Sequence, residues 1–328
     1  MERSIEARRL RIGVVTEPFT KWPLSRFMDW LTSEAPEVTE LEVGVGGYAL
    51  PGHCDMDLLL RDAAARKEWL GHVTARGLEV GALNVSGNPL HPDLQVASRH
   101  GADLKNAVRL AAEFGVDRIV AMAGCPSGAD GDVTPHFAGG GWLSYLEGIT
   151  ERQWTDHVIP YWTAMAEFAR REHPDLLICL ELHPGAVAYN VESFERLSGL
   201  GRSIAANLDP SHFFWMQMDP IAVVDRLRSR VGYAHAKDVV FSPANLALNG
   251  LLDRRWPNPP DQMPWNFAVV GKGHDESWWR QLTEGVIAHG SATTIAIEHE
   301  DPFVSPEQGI KDAASLLARV LDPSGARD

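Results

Sequence analysis

Four apolar runs in this chain end in residues that a buried strand should avoid. "LLICLELHPG" runs into Glu181 and then His183, and "NLDPSH" turns at Asp209 and His212. "GYAHAKD" ends in His235, Lys237 and Asp238, and "IAIEHED" in Glu298, His299, Glu300 and Asp301. Three carboxylates and an imidazole drawn to one point repel one another and lose their hydration unless a cation sits among them. The reading is therefore that Glu181, Asp209, His235 and Glu298 hold one divalent metal. An oxygen-rich set with a single nitrogen suits Mn²⁺, Mg²⁺ or Co²⁺, with Zn²⁺ as an alternative. A metal there, chelating a carbonyl and a neighbouring hydroxyl, makes the adjacent C–H acidic enough for a side-chain base. Each acid taken alone also reads as a loop or helix cap, "DPSH" most plainly.

These residues need elements that bring them to one rim. Glu181 and Asp209 are 28 residues apart and Asp209 and His235 are 26 apart, one strand-helix repeat each; the 63 residues from His235 to Glu298 hold one repeat plus an insertion. Eight β-rich runs recur, at 10–15, 38–44, 78–85, 116–124, 175–182, 203–209, 231–237 and 292–300. Helical patterning fills 55–76, 100–114, 155–172, 219–229 and 275–289. Alternating strand and helix implies a parallel sheet. Eight units without a composition break predict an α/β fold, one (β/α)8 TIM barrel over 1–328, with long loop insertions after strands 4 and 7 at about 125–154 and 239–274. An open doubly wound sheet is the alternative, but "IGVVTEP" carries no GxGxxG. Active sites of such barrels lie at the C-terminal ends of the strands, where the four proposed ligands fall.

Other groups reach the same rim. His183 and His212 read as substrate contacts or acid/base groups, and Lys237 as a cation for a developing oxyanion or a partner of a neighbouring carboxylate. Glu42, Asn88 and His91 end earlier strands and read as substrate-binding residues. Cys54, Cys125 and Cys179 show no CxxC spacing; Cys179 reads as core, and Cys125, in "MAGCPSG", as a residue that can line a pocket. The tryptophans Trp142, Trp215, Trp256, Trp265, Trp278 and Trp279 read chiefly as core or lid packing.

Composition narrows the function. Of 328 residues 45% are hydrophobic, enough for a substantial core, and 44 acidic against 30 basic residues give a net charge of −14. Such a field repels phosphate backbones, so nucleic acid is not expected as a partner. No apolar stretch reaches the roughly 18 residues of a membrane span and none resembles a signal sequence, so a cytoplasmic protein is expected.

The series "ELHPG", "NLDPSH", "HAKD", "GKGHD" and "IEHED", with "ALNVSGNPLHPD" and "MAGCPSG" before it, resembles the sugar isomerase/epimerase branch of the xylose-isomerase-like TIM barrels over roughly 10–320. Within that branch it is similar to epimerases of keto-glycosides and to the larger subunit of C-glycoside deglycosidases, which works with a small second subunit. The resemblance implies one metal, commonly Mn²⁺, on the four residues named above. It implies further that Glu181 and Glu298 move protons on opposite faces of the substrate and that His212 touches it. The expected activity is enolisation of a sugar or 3-keto-glycoside, ending in epimerisation, isomerisation or β-elimination of the aglycone. The alternatives are a sugar-binding barrel subunit active only with a small partner, and a metal-dependent phosphoesterase, for which no Gly-rich phosphate loop is seen. A homo-oligomer or a small second subunit is the expected assembly.

Overall fold

The computed structural model describes residues 10–49, 51–139, 144–252 and 259–322. Trp142 and Trp256 lie outside them. Ten strands form among the described residues, β1 Arg11–Val15, β2 Val38–Gly44, β3 Glu79–Asn84, β4 Arg118–Met122, β5 Leu177–Glu181, β6 Ile204–Leu208, β7 Val231–Ala236, β8 Asp238–Phe241, β9 Trp265–Ala268 and β10 Thr294–Ile297. Eight of them close into a barrel in the order β1-β10-β7-β6-β5-β4-β3-β2. Each run read from the sequence contains one barrel strand. Strands such as β6 and β7 are buried at every position, as expected for a parallel sheet covered on both faces.

The chain divides into two compact units, one of residues up to 41 and from 208 onward, the other of 42–207. In the first, β10 pairs in parallel with β1 and with β7, and the helix Pro306–Leu321 packs against β1 and β10. The insertion after β7 is more than loop. Its β8 and β9 pair antiparallel, Asp238 opposite Ala268 and Phe241 opposite Trp265, with the helix Pro243–Asn249 between them. Phe214, Val239 and Trp265 form a small apolar core for this hairpin, and Trp215 stacks on Trp265 at 5.0 Å. Asp238 anchors its far end. One of its oxygens, Oδ2, accepts the backbone N–H groups of Gly271, Gly273 and His274 at 3.0–3.1 Å, and Oδ1 accepts from Val239 N and His274 Nδ1. Gly273 makes this possible, since a Cβ there would stand 2.0 Å from the Val239 carbonyl oxygen.

In the second unit β3, β4 and β5 pair in parallel, and the helix Leu94–Phe114 runs from its Asp93 cap to Gly115, whose φ of 70° ends it in the left-handed region. Two helical segments differ from the sequence reading. The 55–76 segment is two helices, Met56–Arg61 and Ala63–Thr74, because Asp62 turns to an extended conformation and caps the second through Ala64 N and Ala65 N. Aspartate competes well for that capping position and poorly for a helix interior. The 155–172 segment starts with a π-helical turn, Trp154–Val158, before the helix Ile159–Glu172. Pro160 lacks an N–H to continue the regular ladder, which accounts for the wide turn. The helices Leu24–Glu34, Ser144–Gln153, Val191–Ser198, Pro210–Trp215, Pro243–Asn249 and Pro306–Leu321 were not among the segments read from the sequence, and the 100–114 segment is already helical from Leu94.

Candidate metal centre

Residues alternate in side along a strand, so His235 and Lys237 at the end of β7 face one way and Asp238 the other. The β10 register sets Ala296 opposite His235 and Ile297 opposite Ala236, and Glu298 N–H continues it by donating to Ala236 O at 3.2 Å. Glu298 thereby comes beside both β7 side chains. Its Oε2 is 2.9 Å from His235 Nδ1 and 2.8 Å from Lys237 Nζ. The same ammonium is 3.0 Å from Asp209 Oδ2 and 3.4 Å from Glu300 Oε2, so Lys237 answers the rim carboxylates and leaves Asp238 to the hairpin clasp. The intervening His299 packs under the helix Pro306–Leu321, where Gly309 leaves room for its ring.

Asp209 serves two roles. Its Oδ1 accepts Ser211 N–H at 2.9 Å and caps the helix Pro210–Trp215, while Oδ2 points to the cluster. That Oδ2 is buried without a well-aligned hydrogen bond; Lys237 and His212, the latter at 3.3 Å, reach it as ion-pair contacts. Burial disfavours charge on both acids, but the neighbouring cations outweigh it. Lys237 and His212 hold the Asp209 carboxyl well below the usual range, and Lys237 and His235 bring Glu298 down to about 2. Both are carboxylates at neutral pH. Phe267, on β9, covers the group, its ring centroid 4.6 Å from Lys237 Nζ and edge-on to His212 at 5.7 Å. Sequence reading did not single out Phe267; the aromatic "WNFA" was its only signal.

In the other unit Glu181 ends β5 opposite Met122 of β4 and Asn207 of β6. Glu181, Asp209, His235 and Glu298 each offer a ligand atom, and these atoms lie within 4.8 Å of one another. Three carboxylate oxygens and one imidazole nitrogen at that spacing, with one carboxylate oxygen poorly satisfied, fit a hard divalent cation. The thiols do not compete for that role, since burial pushes Cys125 up to about 11 and Cys54 and Cys179 to about 12.

The remaining candidates sit as follows. Glu42 is fully buried and accepts from Asn84 Nδ2 at 2.7 Å. Asn88 is committed to the backbone: Nδ2 donates to Cys125 O, and Oδ1 accepts from Cys125 N and Leu90 N, which ties the ends of β3 and β4 together. His91 Nδ1 accepts Asp93 N–H at the start of the helix Leu94–Phe114. His183 is half-buried beyond Glu181, its Nδ1 2.5 Å from the Pro184 carbonyl oxygen.

The family model described as xylose isomerase-like TIM barrel matches residues 41–320. The chain belongs to that family. Within the xylose isomerase-like barrels it is 31% identical over 320 residues to the uncharacterized protein YfiH of Bacillus subtilis (strain 168), covering 95% of this chain and 99% of that one. Among solved structures it superposes on the probable 3-DHS dehydratase AsbF of Bacillus anthracis, involved in petrobactin synthesis, with a TM-score of 0.62 at 15% identity, covering 94% of this chain and 99% of that one. D-psicose 3-epimerase of Clostridium cellulolyticum H10, solved with D-tagatose, gives 0.60 at 12% identity, covering 95% and 98%. At such identities the structures share the fold. No helix among the described residues is long and apolar enough to cross a membrane.

Proposed function

We propose that this protein catalyses divalent-metal-dependent enolisation of a sugar or 3-keto-glycoside, with Glu181, Asp209, His235 and Glu298 holding one metal, Mn²⁺ in the first instance. The observation that carries the reading is that these four residues offer ligand atoms within 4.8 Å of one another, with the buried Lys237 ammonium beside Asp209 and Glu298. When bound, the metal supplies Lewis acidity toward a substrate carbonyl and its neighbouring hydroxyl. The chain supplies the rest. Glu298 enters the reaction ionised and able to accept a proton, with Glu181 as its counterpart for proton movement on the other face. Lys237 neutralises the carboxylates and offers an N–H to charge developing on a substrate oxygen, while Phe267 shields the site from water. His212 and His183 contact substrate. Inversion at a carbon and loss of a group β to the carbonyl both start by removing a C–H proton, and an epimerase and a dehydratase that share this fold support that common step.

The test is NMR in D₂O with Mn²⁺ and a 3-keto-glycoside or a ketose, using the wild type and Glu298→Gln. Solvent deuterium entering the substrate, lost in the variant and on chelation while the circular dichroism is unchanged, is expected. Exchange that persists at the wild-type rate in Glu298→Gln would remove Glu298 from the reaction.

A further inference from the structure

The segments that leave β2 and β3 run side by side at the C-terminal ends of those strands, the end at which barrels of this kind bind ligands. Val45 N–H donates to Asn84 O, and Tyr48 N–H to Ser86 O. His100, in the second turn of the helix Leu94–Phe114, packs against both segments. Gly87 leaves room for its ring, since a Cβ there would stand 3.1 Å from His100 Cγ, and Tyr48 meets the ring edge to face at 4.8 Å. The imidazole is only 2% exposed, whereas Tyr48 is 54% exposed and Arg99 faces solvent. All of these residues belong to the unit 42–207.

One pair of groups here is mismatched. Asn88 N–H donates to His100 Nδ1 at 2.9 Å, and a backbone amide can only donate. Nδ1 is therefore the acceptor, the ring is neutral and its proton sits on Nε2. Burial, and after it the Arg99 charge, push the His100 pKa below the ordinary 6.5, in keeping with that state. Yet the atom facing Nε2, at 3.2 Å, is Arg99 Nη2, and a guanidinium has no lone pair to offer. Two donors thus face each other. Nitrogens 3.2 Å apart can both lie about 2.9 Å from one oxygen, so a single acceptor beside them satisfies both. Among the described residues Arg99 forms no ion pair, and Asp103, one turn along the helix, gives Oδ2 to Gly47 N–H at 3.0 Å.

The charge fits one ligand class. Arg99 carries the positive charge, His100 is neutral, and burial keeps the Tyr48 phenol protonated, with Arg99 opposing it. A planar monoanion with two acceptor oxygens matches a guanidinium fork and a neighbouring N–H. A phosphate dianion would be left half neutralised in a chain of net charge −14. We propose that Arg99 and the His100 Nε2–H, walled by Tyr48, form a binding site for a carboxylate, borne by a free organic acid or by a sugar acid. The assignment rests on the unit 42–207 alone and needs no turnover, so a missing deuterium exchange would count against the enolisation only.

The test is NMR of the histidine ring nitrogens in Mg²⁺-loaded protein at neutral pH and constant ionic strength, with His100→Gln identifying the His100 signals. Acetate, glucuronate, glucose and inorganic phosphate are titrated into the wild type, Arg99→Gln, Arg99→Lys and Arg109→Gln. The last removes a charge further along the same helix and controls for net charge. Expected are an Nε2–H tautomer in the free protein, a saturable Nε2 shift with both carboxylates and none with glucose. The apparent affinity should fall about ten-fold in Arg99→Gln, less in Arg99→Lys, which keeps the charge but not the fork, and stay unchanged in Arg109→Gln. Glucuronate saturating below acetate assigns the carboxylate to a sugar acid; glucuronate saturating at or above acetate assigns it to a free acid. An Nδ1–H tautomer, no saturable shift with either carboxylate, phosphate binding tighter than acetate, or an affinity unchanged in Arg99→Gln would each overturn the site.

Discussion

Lys237 Nζ stands 2.8 Å from Glu298 Oε2, an ammonium only 3% exposed against a carboxylate that ends the neighbouring barrel strand. Asp209 shares the same ammonium at 3.0 Å. Removing one partner of such a buried set leaves uncompensated charge and costs about 3–5 kcal/mol. Lys237→Met is therefore expected to lower the unfolding free energy of the chelated protein by that order. Added Mn²⁺, which supplies positive charge to the same carboxylates, should raise the melting temperature of the variant by more than that of the wild type. Equal shifts in the two proteins would separate Lys237 from the proposed metal cluster.

The same ion pairs set an acid limit. Glu298 has a folded pKa of about 2 against an ordinary value of 4.5, and Asp209 also lies well below its ordinary 3.8. A depressed carboxyl contributes its stability in full above the ordinary value and loses it as the pH falls through the folded one. For Glu298 alone the contribution is on the order of 3 kcal/mol. Denaturant titrations of metal-free protein should show stability falling from about pH 5 toward pH 2, and Glu298→Gln should flatten that slope. An unchanged slope in the variant would assign the acid transition to other carboxyls.

Asp238 predicts a local effect. It accepts three backbone N–H groups on Oδ2, and its Oδ1 holds Val239 N and His274 Nδ1, whose ring stacks on Phe214 at 3.8 Å. Hydrogen bonds to a charged acceptor contribute about 1.5–3 kcal/mol each when measured singly. Asp238→Ala should destabilise the protein by about 3 kcal/mol and speed amide exchange at Gly271, Gly273 and His274 ahead of the barrel strands. Uniform acceleration across the barrel would mean that the clasp is not a local unit.

How much of this was legible in the chain can be argued from particular residues. The eight strands were, because runs of six to nine residues rich in Val, Ile, Leu and Ala, separated by helix-length segments, leave a parallel barrel as the natural way to bury them. The ends of four of those runs were legible too, because a desolvated carboxylate interrupts an apolar run visibly. Period-two alternation even separates Glu298 and Glu300, which reach Lys237, from His299, which packs under Gly309. The helix break at Asp62 and the π turn before Pro160 were less legible, since both depend on which of two local hydrogen-bonding arrangements the neighbours favour.

The sequence by itself determined the barrel and pointed to four strand-end residues as candidate metal ligands, because hydrophobic periodicity and misplaced charge are both local signals. Only the tertiary structure decided that Lys237 turns to Asp209 and Glu298 while Asp238 clasps the loop Gly271–His274. It likewise decided that Asn88 ties two strand ends together and that Phe267 covers the cluster. Those relations join residues from about 30 to more than 60 positions apart, and their partners are chosen by distance and desolvation in the folded chain, which no spacing along the sequence encodes.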